Sequence, residues 1–106
     1  MIYLASPYSH PDESVRHVRY ESVVEYAARA WKEGHIVFSP IAHSHPIALH
    51  GLAGTWEQWS EFDSAIIGAC AELWVLMLDG WEDSEGVEAE VGIAERLGLP
   101  VRWVQP

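Results

Sequence analysis

This sequence is short of cysteine, of lysine and of long apolar runs, and each shortage excludes something. A single cysteine, Cys70, cannot close an internal disulfide, and its apolar neighbours on a predicted helix face mark it as a buried thiol. One lysine and five arginines stand against sixteen acids, for a formal charge of −10. Such a surface repels polymeric nucleic acid but still admits a nucleotide, which needs only one or two donors. No apolar stretch approaches the roughly 20 residues that span a bilayer. Met1-Ile2-Tyr3-Leu4 lacks the charged region and long apolar core of a signal peptide. The expectation is a cytoplasmic protein without a membrane partner. Linkers, internal repeats and low-complexity stretches are missing too, so residues 1–106 form one domain.

Tryptophan, by contrast, is plentiful: six residues suggest a cleft or an interface lined by rings. Four short apolar segments alternate with helical patterns. Ile2–Ala5 reads as a first strand, followed by the polar loop Ser6-Pro7-Tyr8-Ser9-His10. A helix then starts near Pro11, carries Asp12 and Glu13 in its first turn, and ends at Gly34. Ile36–Ser39 is the second strand. A long loop is expected from Ile41 to Thr55, carrying His43, His45 and His50. These histidines lack helical HxxxH spacing and accompanying cysteines, so a substrate-loop or subunit-contact role is favoured over zinc. Thr55 with Gln58 fits a capping box opening a helix to about Ala71. Leu73 to Leu78 is a continuous apolar run, as in a strand covered on both faces. The next helix has Val87, Val91, Ala94 and Leu97 on one stripe, and Val101–Val104 is the last strand. The order βαβαβαβ specifies a parallel sheet with right-handed crossovers and helices on both faces.

Two acids interrupt these stripes. Glu90 falls three residues after Val87 and four before Ala94; Asp63 falls four after Trp59 and three before Ile66. A carboxyl on an apolar stripe costs free energy unless it is paired or opens into a cleft. Glu90, near a helix N-terminus, is expected to stay ionised, while Asp63, between Trp59 and Ile66, is expected to hold its proton. Trp59 and Trp81 offer faces for a base or for packing. Arg16 and Arg19 share a helix face near the first loop and could clamp an anion there.

Tyr3-Leu4-Ala5-Ser6-Pro7, the Ser39-Pro40 pair, Trp59, Asp63, Gly80-Trp81 and the string Ser84-x-Gly86-Val87-x-x-Glu90-x-Gly92-x-Ala94 together carry a resemblance over nearly the whole chain. The sequence resembles the nucleoside 2-deoxyribosyltransferase-like superfamily, and within it the small bacterial and phage proteins of the DUF1937 type. The resemblance implies a flavodoxin-like (Rossmann-like) three-layer sandwich with four to five parallel strands, of which four are visible. It implies Glu90 as the nucleophile at the anomeric carbon, Asp63 as the group handling the leaving base, and Tyr3 as the holder of the nucleophile. Ser84 matches a serine that touches a 5′-phosphate in monophosphate hydrolases. The expected substrate contacts are Ser6, Pro7, Arg19, Trp59, Trp81, Ser84 and Gly86.

The expected function is cleavage, by hydrolysis or base transfer, of the N-glycosidic bond of a nucleoside or nucleoside 5′-monophosphate. No metal or cofactor is needed for it. A non-catalytic nucleotide or nucleotide-sugar binding module is the alternative. A homodimer or higher homo-oligomer is expected, since the tryptophans and the long loop suit a cleft completed by a neighbour.

Overall fold

The computed structural model describes residues 1–51 and 56–106, apart from the side chains of Trp56 and Gln58. Four parallel strands form the sheet: β1 (Ile2–Ala5), β2 (Val37–Phe38), β3 (Glu72–Leu76) and β4 (Val101–Val104), in the spatial order β2-β1-β3-β4. This is the flavodoxin-like order, with β1 and β3 in the centre. The register sets Tyr3 beside Leu73 and Leu4 beside Trp74. Strand alternation therefore sorts these four residues onto two faces.

One face carries Tyr3, Ala5, Leu73 and Val75, which pack with Ile67 of helix α3 (Trp56–Gly68) and with Val87 and Ala94 of helix α4 (Glu85–Arg96). The other carries Leu4, Trp74 and Leu76 and packs against Val23 of helix α1 (Glu13–Lys32). Leu4, Leu73, Val75 and Leu76 are fully buried. Each such side chain contributes roughly 1.5–3 kcal/mol relative to exposure. The central strands are continuous apolar runs because both of their faces are covered.

Several boundaries differ from the sequence expectation, each for a local reason. Helix α1 begins at Glu13 rather than near Pro11, because the Asp12 side chain accepts from the Ser14 amide and makes Asp12 the cap. The expected loop after β2 opens instead as helix α2 (Pro40–Ala48). The Ser39 hydroxyl accepts from the Ala42 amide 3.1 Å away, and Pro40 occupies the first turn, where its missing N–H costs nothing. Pro46 lies inside this helix and denies it one backbone bond, and the helix ends two residues later. Helix α3 stops at Gly68, so Cys70 is buried in the connection to β3 rather than on the helix. Leu97 caps α4 and is exposed, outside the buried stripe of that helix. The expected capping box falls on Thr55, which lies outside the described residues.

Between β1 and β3 the chain reverses its direction of travel across the sheet: β2 is added on one side, β3 and β4 on the other. Ligands in open α/β sheets bind in the crevice beyond the carboxyl ends of the strands at such a switch point. Here that crevice is bounded by the loop after β1, the turn after β3 and the N-terminus of α4.

Candidate active site

A cavity of about 600 Å³ occupies this crevice. That is within the range of small-molecule sites, which runs from about 300 to 1,000 Å³. Its inner wall holds Asp63 from α3 and Glu90 from α4; Trp59, one turn before Asp63, lines the same wall. Both carboxyls are almost entirely removed from solvent, at 8% and 5% exposure. Helix α4 carries Glu90 inward because Val87 and Ala94, on the same stripe, anchor that face in the core.

Beneath the cavity lies Tyr3, fully buried at the second position of β1. Its hydroxyl donates to Glu90 Oε2, and Asp63 is close enough to act on the same hydroxyl. Burial and the two neighbouring carboxyls push the phenol far above its ordinary range, so it stays a donor. Burial raises Asp63 to about 6, with the Tyr3 hydroxyl pulling in the opposite direction. Burial raises Glu90 further, to about 8, again opposed by Tyr3 and reinforced by Asp63.

This corrects the expectation that Glu90 remains ionised. Glu90 is the sixth residue of α4, and the helix dipole acts mainly within the first turn. Desolvation is therefore the larger influence. The two acids titrate as a pair that holds one proton between pH about 6 and 8.

The outer wall comes from the loop after β1 and from the start of α4. Ser6, Ser84 and Gly86 line the cavity, as does Arg19 from α1. Pro7 is fully buried and Trp81 packs against the core beneath α4; both lie outside the cavity lining. Arg19 holds three carbonyls together: Tyr8 O at 3.4 Å, Ser9 O at 3.0 Å and Asp79 O at 3.3 Å. Gly80 makes that arrangement possible. Its φ is +90°, and a Cβ placed there would stand 2.5 Å from Arg19 Nη2. Arg16 is not among the described residues lining this cavity and donates to the His10 carbonyl.

Helix α2, which sequence reasoning missed, contributes Ile41, Ser44 and Ala48 to the cavity wall. Ser39-Pro40 was the signal available for it. The expected loop histidines sit otherwise. His45 is buried on α2, with its Nδ1 2.6 Å from the Tyr8 hydroxyl and its ring stacked on Tyr20 at 4.2 Å. Burial lowers its pKa and keeps the ring neutral. His43 stacks on Phe62 at 4.9 Å. Among the described residues, no group of three or more His, Cys, Asp and Glu side chains is gathered as a metal would require.

The family model described as "Domain of unknown function (DUF1937)" matches residues 1–105. The chain belongs to the DUF1937 family. A comparison with curated proteins returns no match. In this DUF1937 chain the match spans every described element, from β1 to β4. Among the described residues, no helix is long and apolar enough to cross a membrane.

Proposed function

We propose that this protein cleaves the N-glycosidic bond of a nucleoside or nucleoside 5′-monophosphate through a covalent glycosyl-enzyme intermediate. The observation that carries the reading is the buried pair Asp63 and Glu90, with the Tyr3 hydroxyl bonded to Glu90, at the bottom of a nucleoside-sized cavity. The resemblance of the Ser84-to-Ala94 string to the nucleoside 2-deoxyribosyltransferase-like superfamily supports the same reading.

In the reactive form the pair's single proton resides on Asp63 and Glu90 is a carboxylate accepting from Tyr3. A Glu90 oxygen bonds to the anomeric carbon as the bond from that carbon to the base nitrogen breaks. The bond electrons leave with the base, and Asp63 delivers its proton to it. Water or a second base then attacks the same carbon, the ester to Glu90 breaks, and its electrons return to the Glu90 carboxylate. Asp63 accepts the proton lost by the attacking nucleophile. Two displacements retain configuration at the anomeric carbon. The Tyr3 donor holds the attacking oxygen and favours its ionised form.

The test is a chromatographic screen for free base, using pooled ribo- and deoxynucleosides and their 5′-monophosphates. Release by the wild type and its loss in Glu90→Gln is the expected result. Full turnover by Glu90→Gln would falsify the nucleophile assignment. The burial of Glu90 favours a second reading, a non-catalytic binding module: desolvation pushes the carboxyl toward its neutral form, which is a poor nucleophile. Ligand binding that survives Glu90→Ala, with no product on long incubation, selects that module.

The proposal extends to assembly and location. Trp103 on the edge strand β4 and Leu97 at the end of α4 are exposed, and a homodimer or larger assembly would cover them. A monomer in sedimentation at micromolar concentration overturns that part. A lone buried thiol suits the cytoplasm.

A further inference from the structure

The cavity's outer wall has a charge pattern that narrows the substrate. Three candidate phosphate donors were available in the sequence: Arg16, Arg19 and the Ser84 end of α4. The fold occupies both guanidiniums with carbonyls and uses the acceptor side of the Ser84 hydroxyl as a helix cap. Arg16 donates to the His10 carbonyl and lies outside the cavity. Arg19 faces it, but its guanidinium holds the carbonyls of Tyr8, Ser9 and Asp79. The Ser84 hydroxyl accepts from the Val87 amide at 3.2 Å and so caps its own helix, which leaves only its neutral O–H to donate.

Acids occupy the position where an anion would need cations. Asp83 and Glu85 line the cavity beside Ser84, and Glu85 and Glu88 already stand in the first turn of α4. Carboxylates there satisfy the helix dipole that would otherwise attract a phosphate. With Asp63 and Glu90 on the inner wall, the carboxyls among the described lining residues outnumber the one guanidinium there even when the inner pair holds one proton. A phosphate dianion entering this space meets repulsion in a partly desolvated site, where charges are poorly screened.

One lining group is unpartnered and points to a different ligand. Ser6, directly after β1, is 4% exposed, and its Oγ has no hydrogen-bond partner among the described residues. A buried hydroxyl left unpaired is unfavourable, so it calls for a partner from the ligand. Its chemistry, one O–H donor and two lone pairs, matches an alcohol.

Building on the glycosidic reading above, we infer that the substrate is an uncharged nucleoside with a free 5′-hydroxyl. Ser6 is the specificity residue that hydrogen-bonds a sugar hydroxyl, and Asp83 with Glu85 rejects the 5′-monophosphate. Neutral partners suffice for the sugar, and no guanidinium has to be withdrawn from its carbonyls to admit it.

Isothermal titration of the wild-type protein at low salt tests this. The probes are the ribo- and deoxynucleosides of the common bases, their matched 5′-monophosphates, and inorganic phosphate. The expected result is a nucleoside that binds at least tenfold tighter than its monophosphate, with no binding of inorganic phosphate. The gap narrows as salt is raised. The double variant Asp83→Asn/Glu85→Gln narrows it too, by increasing monophosphate affinity about tenfold. Ser6→Ala weakens the nucleoside by about tenfold while leaving the melting temperature close to wild type, a split that a purely structural serine would not produce. Equal or tighter binding of the monophosphate overturns the inference, as does a gap unaffected by salt and by the double variant. Failure of every nucleoside to bind overturns it as well. Nucleoside-selective binding without base release leaves the selectivity standing and removes the glycosidic reading, so the two failures are distinguishable.

Discussion

Tyr3 and Glu90 are separated by 87 positions in the chain and are joined by a buried hydrogen bond. The first strand thereby holds a carboxyl supplied by the last helix. The bond also biases the protonation of that carboxyl, because an O–H donor favours the ionised form of its acceptor. Removing the donor changes the acid without moving the backbone.

Tyr3→Phe is therefore expected to lower kcat by about 10- to 100-fold and to move the acid limb of the pH profile upward. The ring and its packing remain, so the stability cost is only that of one lost hydrogen bond, about 1–2 kcal/mol. Steady-state kinetics across pH, with a thermal melt as control, checks this. An unshifted limb would show that Tyr3 acts through packing alone.

The pH profile itself follows from the coupled pair. The reactive form carries one proton on Asp63 and Glu90 together, so kcat/KM is expected to be bell-shaped with limbs near 6 and 8. Below the lower limb both acids are protonated and the nucleophile is lost. Above the upper limb both are ionised and the leaving base finds no proton donor. A monotonic profile over this range contradicts the pairing.

Stability should run with the same protons. Burial places the Glu90 acid range near 8, well above its ordinary 4.5, so the folded state retains a proton that the unfolded chain releases. Stability is fully present below about pH 4.5 and declines as pH rises through the folded range, with the loss complete above about 8. Glu90→Gln removes the ionisation, and its amide oxygen still accepts from Tyr3. The variant is expected to exceed wild type at pH 9 by up to about 5 kcal/mol, with the two converging toward pH 5. Thermal melts at both pH values decide it; a less stable variant at pH 9 would contradict the desolvation of Glu90.

Gly80→Ala probes the outer wall. At φ +90° an alanine costs about 1–2 kcal/mol of backbone strain. Its methyl also displaces Arg19 from Asp79 O. The loop after β1 then loses its tie to the turn after β3, and KM should rise more than kcat falls. Equal effects on both parameters would place Arg19 in the reaction rather than in the wall.

The sequence by itself determined the layering, because a chain of this pattern has few ways to bury its apolar segments. Continuous runs such as Leu73 to Leu76 had to be central strands, and the stripe of Val87 and Ala94 had to face them. Asp63 and Glu90 were visible as acids on those stripes because a carboxyl among core positions contradicts the pattern around it. Helix α2 was obscured by its histidines and by Pro46, which mask the stop-and-start signal of Ser39-Pro40. Only the tertiary structure decided the electrostatics. Which carboxyl is more deeply desolvated depends on what packs over it, and sequence spacing suggested the reverse order for Glu90 and Asp63. Whether Arg16, Arg19 and Ser84 are free for a ligand depends on carbonyls and amides brought close by the fold, which no local pattern reports.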